Sequence, residues 1–359
     1  MSLEMKAIVK AKPSEGLEIQ HVPFPTIGPQ DVLVRVKAMS ICGSDLHIYN
    51  WDEWASHRMH LPTVVGHEFS GEVVEVGDEV ESVRIGDFVS AESHISCGLC
   101  VPCRTGNSHV CINTSILGID RNGCFAEYVS LPERNVWKND PSLSPILASI
   151  QEPLGNAVHS VLADEIAGKT VLVLGCGTMG CFAIGVARVC GASFIIGVDV
   201  NEYRLNLAKK MKADALINET TSNLVEGVMD LTLGVGVDVV LEMSGAPSAI
   251  KKGFKALRPG GRVSLLGLPL REVEIDLTND IIFKGVKVYG ITGRKLYETW
   301  YQVSRLLTSR VLDVTPVITH IFKFDEFEKG MELMRSGNCL KVVLMNRYIP
   351  GQERVSHVH

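Results

Sequence analysis

Four cysteines, Cys97, Cys100, Cys103 and Cys111, crowd into fifteen residues with the spacing Cys-x2-Cys-x2-Cys-x7-Cys. Thiolates this close in sequence can surround one tetrahedral Zn²⁺. Iron–sulfur clusters also use Cys-x2-Cys runs. Here the last spacing departs from the ferredoxin patterns, and no proline follows Cys111. Unliganded buried cysteines are the plain alternative, and four in one short segment weigh against it. Protein would fill all four coordination positions, so the expected site is structural and holds a loop that lacks a core of its own.

A second group could hold a reactive metal, which needs about three protein ligands and an open position. Cys42 lies in Ile41-Cys42-Gly43-Ser44-Asp45, His67 and Glu68 in Gly66-His67-Glu68, and Glu152 in Gln151-Glu152-Pro153. Any one of these alone is more often a packed core residue. Their combination upstream of a nucleotide-binding pattern is the signal.

That pattern is Gly175-Cys176-Gly177-Thr178-Met179-Gly180, which follows an apolar run and opens a helix-like segment. A lone G-x-G-x-x-G is a weak signal; the strand–turn–helix context strengthens it. The first glycine permits a tight turn, the second lets the backbone approach a pyrophosphate, and the third lets helix and strand pack closely. The helix N-terminus then faces the phosphate charge. Asp199 ends the next apolar run, 19 residues after Gly180. A carboxylate there can accept from both adenosine ribose hydroxyls and repels a 2′-phosphate, so NAD is expected over NADP. Arg204 weakens that preference, because an arginine can greet a phosphate. The bland reading is a structural turn followed by a surface acid.

These groups need elements to hold them. Residues 5 to about 155 read as short strands broken by Pro and Gly, such as Val32 to Val36 and Glu72 to Val76, the texture of a small irregular β-barrel. From residue 168 the texture changes to uninterrupted apolar runs, Thr170 to Leu174 and Phe194 to Val198, which suit parallel strands buried on both faces. Further runs at 215–217, 237–241, 262–266 and 286–290 alternate with helix-like segments. The expected class is α/β, with a doubly wound parallel sheet beside the barrel. After residue 294 a helix and short strands near 317–319 and 342–344 are expected to return to the first domain. The domain ranges are thus 1–157, 158–293 and 294–359.

Bulk properties narrow the function. The 359 residues exceed one ordinary core, and 46% hydrophobic with 21% charged content describes a globular chain. Net charge is −6 with scattered Lys and Arg, so no nucleic-acid partner is expected. No stretch reaches the roughly 18 uncharged apolar residues of a membrane span, and the opening residues carry no apolar leader, so a cytoplasmic place is expected. In such a reducing compartment, clustered cysteines point to metal or catalysis. Cys124, Cys176, Cys181, Cys190 and Cys339 sit in apolar or Gly-rich surroundings and read as small buried hydrophobes.

The order Cys42-Gly43-x-Asp45, Gly66-His67-Glu68-x2-Gly71-x5-Gly77-x2-Val80, the four-cysteine lobe and Gly175-x-Gly177-x2-Gly180 resembles the zinc-containing medium-chain dehydrogenases over essentially the whole chain. The segments Asp45 to Tyr49, Glu152 to Val158, Glu242 to Pro247, Gly290 to Arg294 and Glu298 to Tyr301 resemble the threonine-oxidising branch of that family. The resemblance implies a GroES-like catalytic domain with a Rossmann domain inserted before its last segment. It implies one catalytic and one structural Zn²⁺ per chain, NAD, a homotetramer, and oxidation of L-threonine at its β-hydroxyl, with a polyol dehydrogenase as the alternative. Cys42, His67 and Glu68 match catalytic zinc ligands, and Glu152 stands where many relatives place another ligand. Ser44 and His47 match a proton relay. Ser44 replaces the usual threonine of that branch, keeping the hydroxyl with a less restricted χ1. Met179, Asp199, Arg204, Leu266-Gly267-Leu268 and Ile291-Thr292 match cofactor contacts, and His94 is a candidate substrate-pocket residue.

The implied chemistry is activation of the hydroxyl by the metal, hydride transfer to the cofactor, and proton exit through Ser44, the cofactor ribose and His47. Histidine suits the last step because its ordinary pKa lies near neutrality. The Cys42 thiolate and one glutamate already neutralise Zn²⁺. A second glutamate makes the site negative, so Glu68 and Glu152 are not expected to ligate permanently together. One exchanges with water or substrate, or faces a substrate ammonium. A non-catalytic dinucleotide-binding relative would lack zinc ligands, and the candidate set here is complete.

Overall fold

The computed structural model describes residues 3–346; residues 1–2 and 347–359, which fall in the expected first and last domain ranges, lie outside the described residues. The chain forms two compact units, Met1–Pro153 with Ile318–His359, and Leu154–Val317. Residues 294–317, expected to begin the return, belong to the second unit. Helix Glu298–Thr308 buries Trp300, Val303 and Leu307 on one face. Helical periodicity reveals such a face but not which core receives it. Among the described residues no helix is long and apolar enough to cross a membrane.

The first unit is built around strand Asp31–Ile41, buried along nearly its whole length. It pairs antiparallel with Phe69–Val76, Tyr128–Pro132 and Lys341–Met345, within a seven-stranded sheet. Strands Glu18–Pro23, Glu4–Lys10 and Thr63–Val64 form a separate three-stranded sheet. Val34, Met39, Phe69, Phe125 and Val342 belong to one core. Helix Gly43–Asn50 leaves directly from the long strand. Its C-terminal end is clamped by buried Lys10, whose Nζ donates to the Gly16 and Tyr49 carbonyls at 3.0 and 3.2 Å.

The second unit carries six parallel strands in the order Ala215–Asn218, Phe194–Asp199, Thr170–Leu174, Val237–Glu242, Leu257–Leu265, Lys287–Gly290. In chain order this is 3-2-1-4-5-6, the doubly wound dinucleotide-binding order. The order reverses between its first and fourth strands, where α/β sheets bind ligands at their carboxyl ends. Helices Thr178–Val189, Glu202–Lys210, Leu224–Leu231 and Pro247–Ala256 connect them. Asn201 and Asn223 cap the second and third of these by accepting backbone N–H bonds.

One glycine stack sets the approach to His67 and Glu68. Gly66 has φ +88°, and a Cβ there would stand 2.0 Å from the Phe125 ring. Gly118 and Gly123 in turn pack on the Gly66 carbonyl, where a Cβ on either would lie 2.3 or 2.1 Å from it. Gly66→Ala combines left-handed strain with overpacking, so it is expected to destabilise the first unit by about 2–5 kcal/mol. Urea denaturation checks this; a loss under about 1 kcal/mol, below that of an ordinary overpacked site, contradicts it.

Candidate active site

Cys42 is the N-cap of helix Gly43–Asn50, and its backbone N–H donates to Asp45 at 2.8 Å. His67 and Glu68 follow strand Thr63–Val64 through the Gly66 turn. The ligand atoms of Cys42, His67 and Glu68 lie within 4.8 Å of one another. His67 is 6% exposed and Glu68 wholly buried. His67 Nδ1 and Asp45 Oδ1 stand 3.8 Å apart, and neither atom has a hydrogen-bond partner among the described residues. Burial opposes charge on His67, but Asp45, Cys42 and Glu152 outweigh it and push its pKa up to about 10. Burial pushes the Asp45 carboxyl up to about 6. A thiol, an imidazole and a carboxylate that together favour a positive charge fit a zinc ion. Glu152 is 5% exposed and accepts a bond from Ser93 Oγ at 2.6 Å. It lies in the first turn of helix Gln151–Val161.

Lys341 was not singled out from the sequence. Its Nζ is buried and lies 2.7 and 3.0 Å from the two Glu68 oxygens and 3.0 Å from the Ile41 carbonyl. Ser40 Oγ also donates to Glu68. Burial opposes the ammonium, but the charges of Glu68 and Cys42 outweigh it and raise the Lys341 pKa. The charge count made from the sequence lacked this cation.

Ser44 and His47 share helix Gly43–Asn50 at i and i+3, hence one face. His47 Nδ1 donates to Asp52 at 2.5 Å, and Asp52 also caps the next helix, Glu53–Arg58. Burial opposes ionisation of Asp52, but bonds from the Ala55 N–H and His47 hold its pKa low. Asp52 too was missed; its sequence signal is a carboxylate five residues after His47, just ahead of a helix. His94 lies in strand His94–Ile95, its N–H donating to Glu92.

The cysteine lobe assembles separately. Sγ separations are 3.4 Å for Cys100–Cys103, 3.5 Å for Cys97–Cys111 and 3.8 Å for Cys100–Cys111. Thiolates about 2.3 Å from one zinc stand about 3.8 Å apart at the corners of a tetrahedron, so the four fit that ion. Backbone N–H groups of Leu99 and Cys100 hold the Cys97 thiol down at about 6.

In the second unit the glycine motif behaves as its spacing implies. Gly175 has φ +86°, open space surrounds a Gly177 Cβ, and a Gly180 Cβ would lie 1.9 Å from the Gly175 carbonyl. Gly177 caps helix Thr178–Val189, with Met179 half-buried in its first turn. Asp199 accepts from the Cys176 and Asn201 N–H groups at 2.7 and 2.9 Å, so it braces the loop as well as facing its cavity. That cavity, about 210 Å³, is lined by Gly175, Gly177, Asp199, Arg204 and Ser244 among others. Arg204 Nε has no hydrogen-bond partner among the described residues. Leu266 and Gly267 donate to the Glu242 carbonyl, and Leu268 is exposed. Ile291 donates to the Leu265 carbonyl, and Thr292 is exposed.

Family models agree with this division. Residues 28–141 match the alcohol dehydrogenase GroES-like domain, and residues 178–309 the zinc-binding dehydrogenase domain. The L-threonine 3-dehydrogenase of Bacillus subtilis (strain 168) is 54% identical over 342 residues, covering 95% of this chain and 99% of that one. The chain belongs to the L-threonine 3-dehydrogenase family of zinc-binding dehydrogenases. Solved structures agree with that family's fold. A zinc-binding dehydrogenase of Sinorhizobium meliloti 1021 bound to NADP is 30% identical, with TM-score 0.89 over 96% of this chain and all of that one. An alcohol dehydrogenase of E. coli CFT073 complexed with NADH is 29% identical, with TM-score 0.88 over 95% and 99%. The family's cofactor classes are therefore zinc and a nicotinamide dinucleotide.

Three measurements follow from the metal clusters of this family member. Elemental analysis should find about two zinc ions per chain, one for each cluster, and Cys100→Ser should reduce that to about one. Limited proteolysis should then cut near residues 97–111 first; a variant that keeps both ions contradicts the lobe assignment. Lys341→Met strands a buried carboxylate and should cost about 3–5 kcal/mol. Zinc beside Glu68 would offset part of that charge, so the loss should be larger after chelation than before. Equal losses in paired urea titrations of wild type and variant would show that the metal's field does not reach Glu68.

Proposed function

We propose that the chain oxidises L-threonine at its β-hydroxyl to 2-amino-3-ketobutyrate, with NAD as the hydride acceptor and zinc held by Cys42, His67 and Glu68. The observation that carries this reading is the intact Cys42–His67–Glu68 donor group in a chain 54% identical, over 95% of its length, to an L-threonine 3-dehydrogenase. When bound, zinc lowers the pKa of the substrate hydroxyl and nicotinamide takes the carbon-bound hydrogen as hydride.

The chain's own residues handle the proton and the substrate charge. Ser44 takes the hydroxyl proton, and His47 on the same helix face passes it to solvent. Asp52 fixes the His47 ring through Nδ1, which leaves Nε2 for that exchange. His47 is about half exposed, so the exit is open. Glu152 presents a carboxylate, oriented by Ser93, that favours the ammonium of an amino acid over a neutral polyol. Asp199 supports NAD over NADP, because its carboxylate repels a 2′-phosphate. Arg204 lines the same cavity, so the preference is one of degree. The structural zinc reading rests on Cys97, Cys100, Cys103 and Cys111. The family resemblance also carries a cytoplasmic place and a homotetramer, and light scattering tests the tetramer.

A substrate panel with both cofactors decides the reaction. L-Threonine with NAD should exceed sorbitol, xylitol and the NADP reaction by about ten-fold or more in kcat/KM, equivalent to about 1.4 kcal/mol of transition-state discrimination. Turnover of sorbitol or xylitol without L-threonine makes the chain a polyol dehydrogenase instead.

A further inference from the structure

Glu242 ends the fourth strand of the parallel sheet with its side chain wholly buried, and no cation pairs with it among the described residues. Neutral donors hold it instead. Its Oε1 accepts from Ser244 N at 2.8 Å, Ser244 Oγ at 2.5 Å and Gly245 N at 3.0 Å. Its Oε2 has no hydrogen-bond partner among the described residues and lies 2.5 Å from where a Gly267 Cβ would stand. The Glu242 backbone carbonyl receives the Leu266 and Gly267 N–H groups at 3.0 and 3.2 Å.

Three loops meet at this carboxylate. Ser244 stands over the glycine turn, since a Cβ on Gly175 would approach the Ser244 Cβ to 2.8 Å. Gly245, at φ +66°, lets Leu268 close in: a Cβ there would lie 2.6 Å from the Leu268 carbonyl. Gly175, Ser244–Gly245 and Leu266–Leu268 follow the first, fourth and fifth strands, at their carboxyl ends. Ser244 also lines the cavity that Asp199 faces. A buried acid is costly, and an apolar side chain would fill the same space without needing three donors. What only an acceptor at this point can do is gather the Ser244 and Gly245 N–H groups and the Ser244 hydroxyl into one turn.

We infer that Glu242 is a positioning residue for the dinucleotide: it fixes the Ser244–Gly245 turn against the Gly175 and Gly267 loops and so sets the shape of the cradle. The inference rests on the reading that this cradle takes a nicotinamide dinucleotide. It assigns Glu242 no contact with the reacting atoms.

NADH fluorescence titration of the full chain tests it, with thermal melting alongside. Glu242→Ala should raise the NADH Kd about ten-fold or more at a temperature where the protein remains folded. Glu242→Gln keeps an acceptor for the three donors and should stay within about three-fold of wild type. Ser244→Ala, which removes one donor and leaves the chain well packed, should raise Kd by an intermediate factor even if Glu242→Ala fails to fold. Val263→Ala, a cavity in the core of the same sheet, should lower the melting temperature without moving Kd. An unchanged Kd in Glu242→Ala, or in Ser244→Ala where the former does not fold, overturns the inference, as does an equal rise in Val263→Ala. Wild-type protein that binds no NADH overturns the dinucleotide reading itself, a result separable from wild-type binding that the variants leave unmoved.

Discussion

The first unit depends on one buried ion pair. Glu68 and Lys341 are 273 residues apart in sequence, and their contact ties the end of the chain to the turn after Gly66. Taking two charges out of water costs several kcal/mol per ion, and only close geometry with further hydrogen bonds offsets it. Both conditions hold here. Lys341 reaches both carboxylate oxygens and the Ile41 carbonyl, and Ser40 supplies Glu68 with another donor. Ser40 and Ile41 close the long strand that pairs with Lys341–Met345, and Cys42 follows at once. Wherever that pair settles, the Cys42 thiol is delivered beside His67 and Glu68. This is a physical reason for the chain to leave the first unit at Pro153 and re-enter it at Ile318: the site is incomplete without its last strand.

The second unit is organised by backbone approach. Gly175, Gly180, Gly245 and Gly267 each stand where a Cβ would meet neighbouring atoms at 1.9–2.8 Å. The absence of those four side chains lets three loops crowd together at the carboxyl ends of the strands. Such crowding leaves backbone polar groups that must be satisfied. Asp199 and Glu242 do so from below, each accepting more than one backbone N–H.

What was legible in the sequence was local. The four cysteines of the lobe fall within fifteen residues, so spacing alone brings their thiols together. The glycine motif is likewise read within one turn, and the apolar runs of the sheet announce strands buried on both faces. Lys341 was illegible because nothing about a lysine in an apolar strand says that its partner is a glutamate 273 positions earlier. Asp52 and Glu242 were hidden differently: each looks like an ordinary turn or strand-end acid until the hydrogen bonds converging on it are seen. Helix Glu298–Thr308 shows the same limit, since its apolar stripe was visible while its destination was not.

Lys341 also bears on which glutamate would meet the metal. Zinc with the Cys42 thiolate and one glutamate is neutral, and a second glutamate makes the group negative. That surplus is the reason for expecting Glu68 and Glu152 not to ligate together. A buried ammonium on both oxygens of Glu68 cancels it, so total charge no longer separates the two acids. The choice becomes a competition for lone pairs. Glu68 divides its oxygens among Lys341, Ser40 and any metal beside it, so its hold on the metal would be weak and easily yielded to a substrate oxygen. Asp45 stands 3.8 Å behind His67 without a hydrogen bond to it, and its charge favours electron donation by that imidazole. In the proposed site, then, Cys42 and His67 would be the fixed donors, and the lysine would govern how readily the carboxylate beside them lets go.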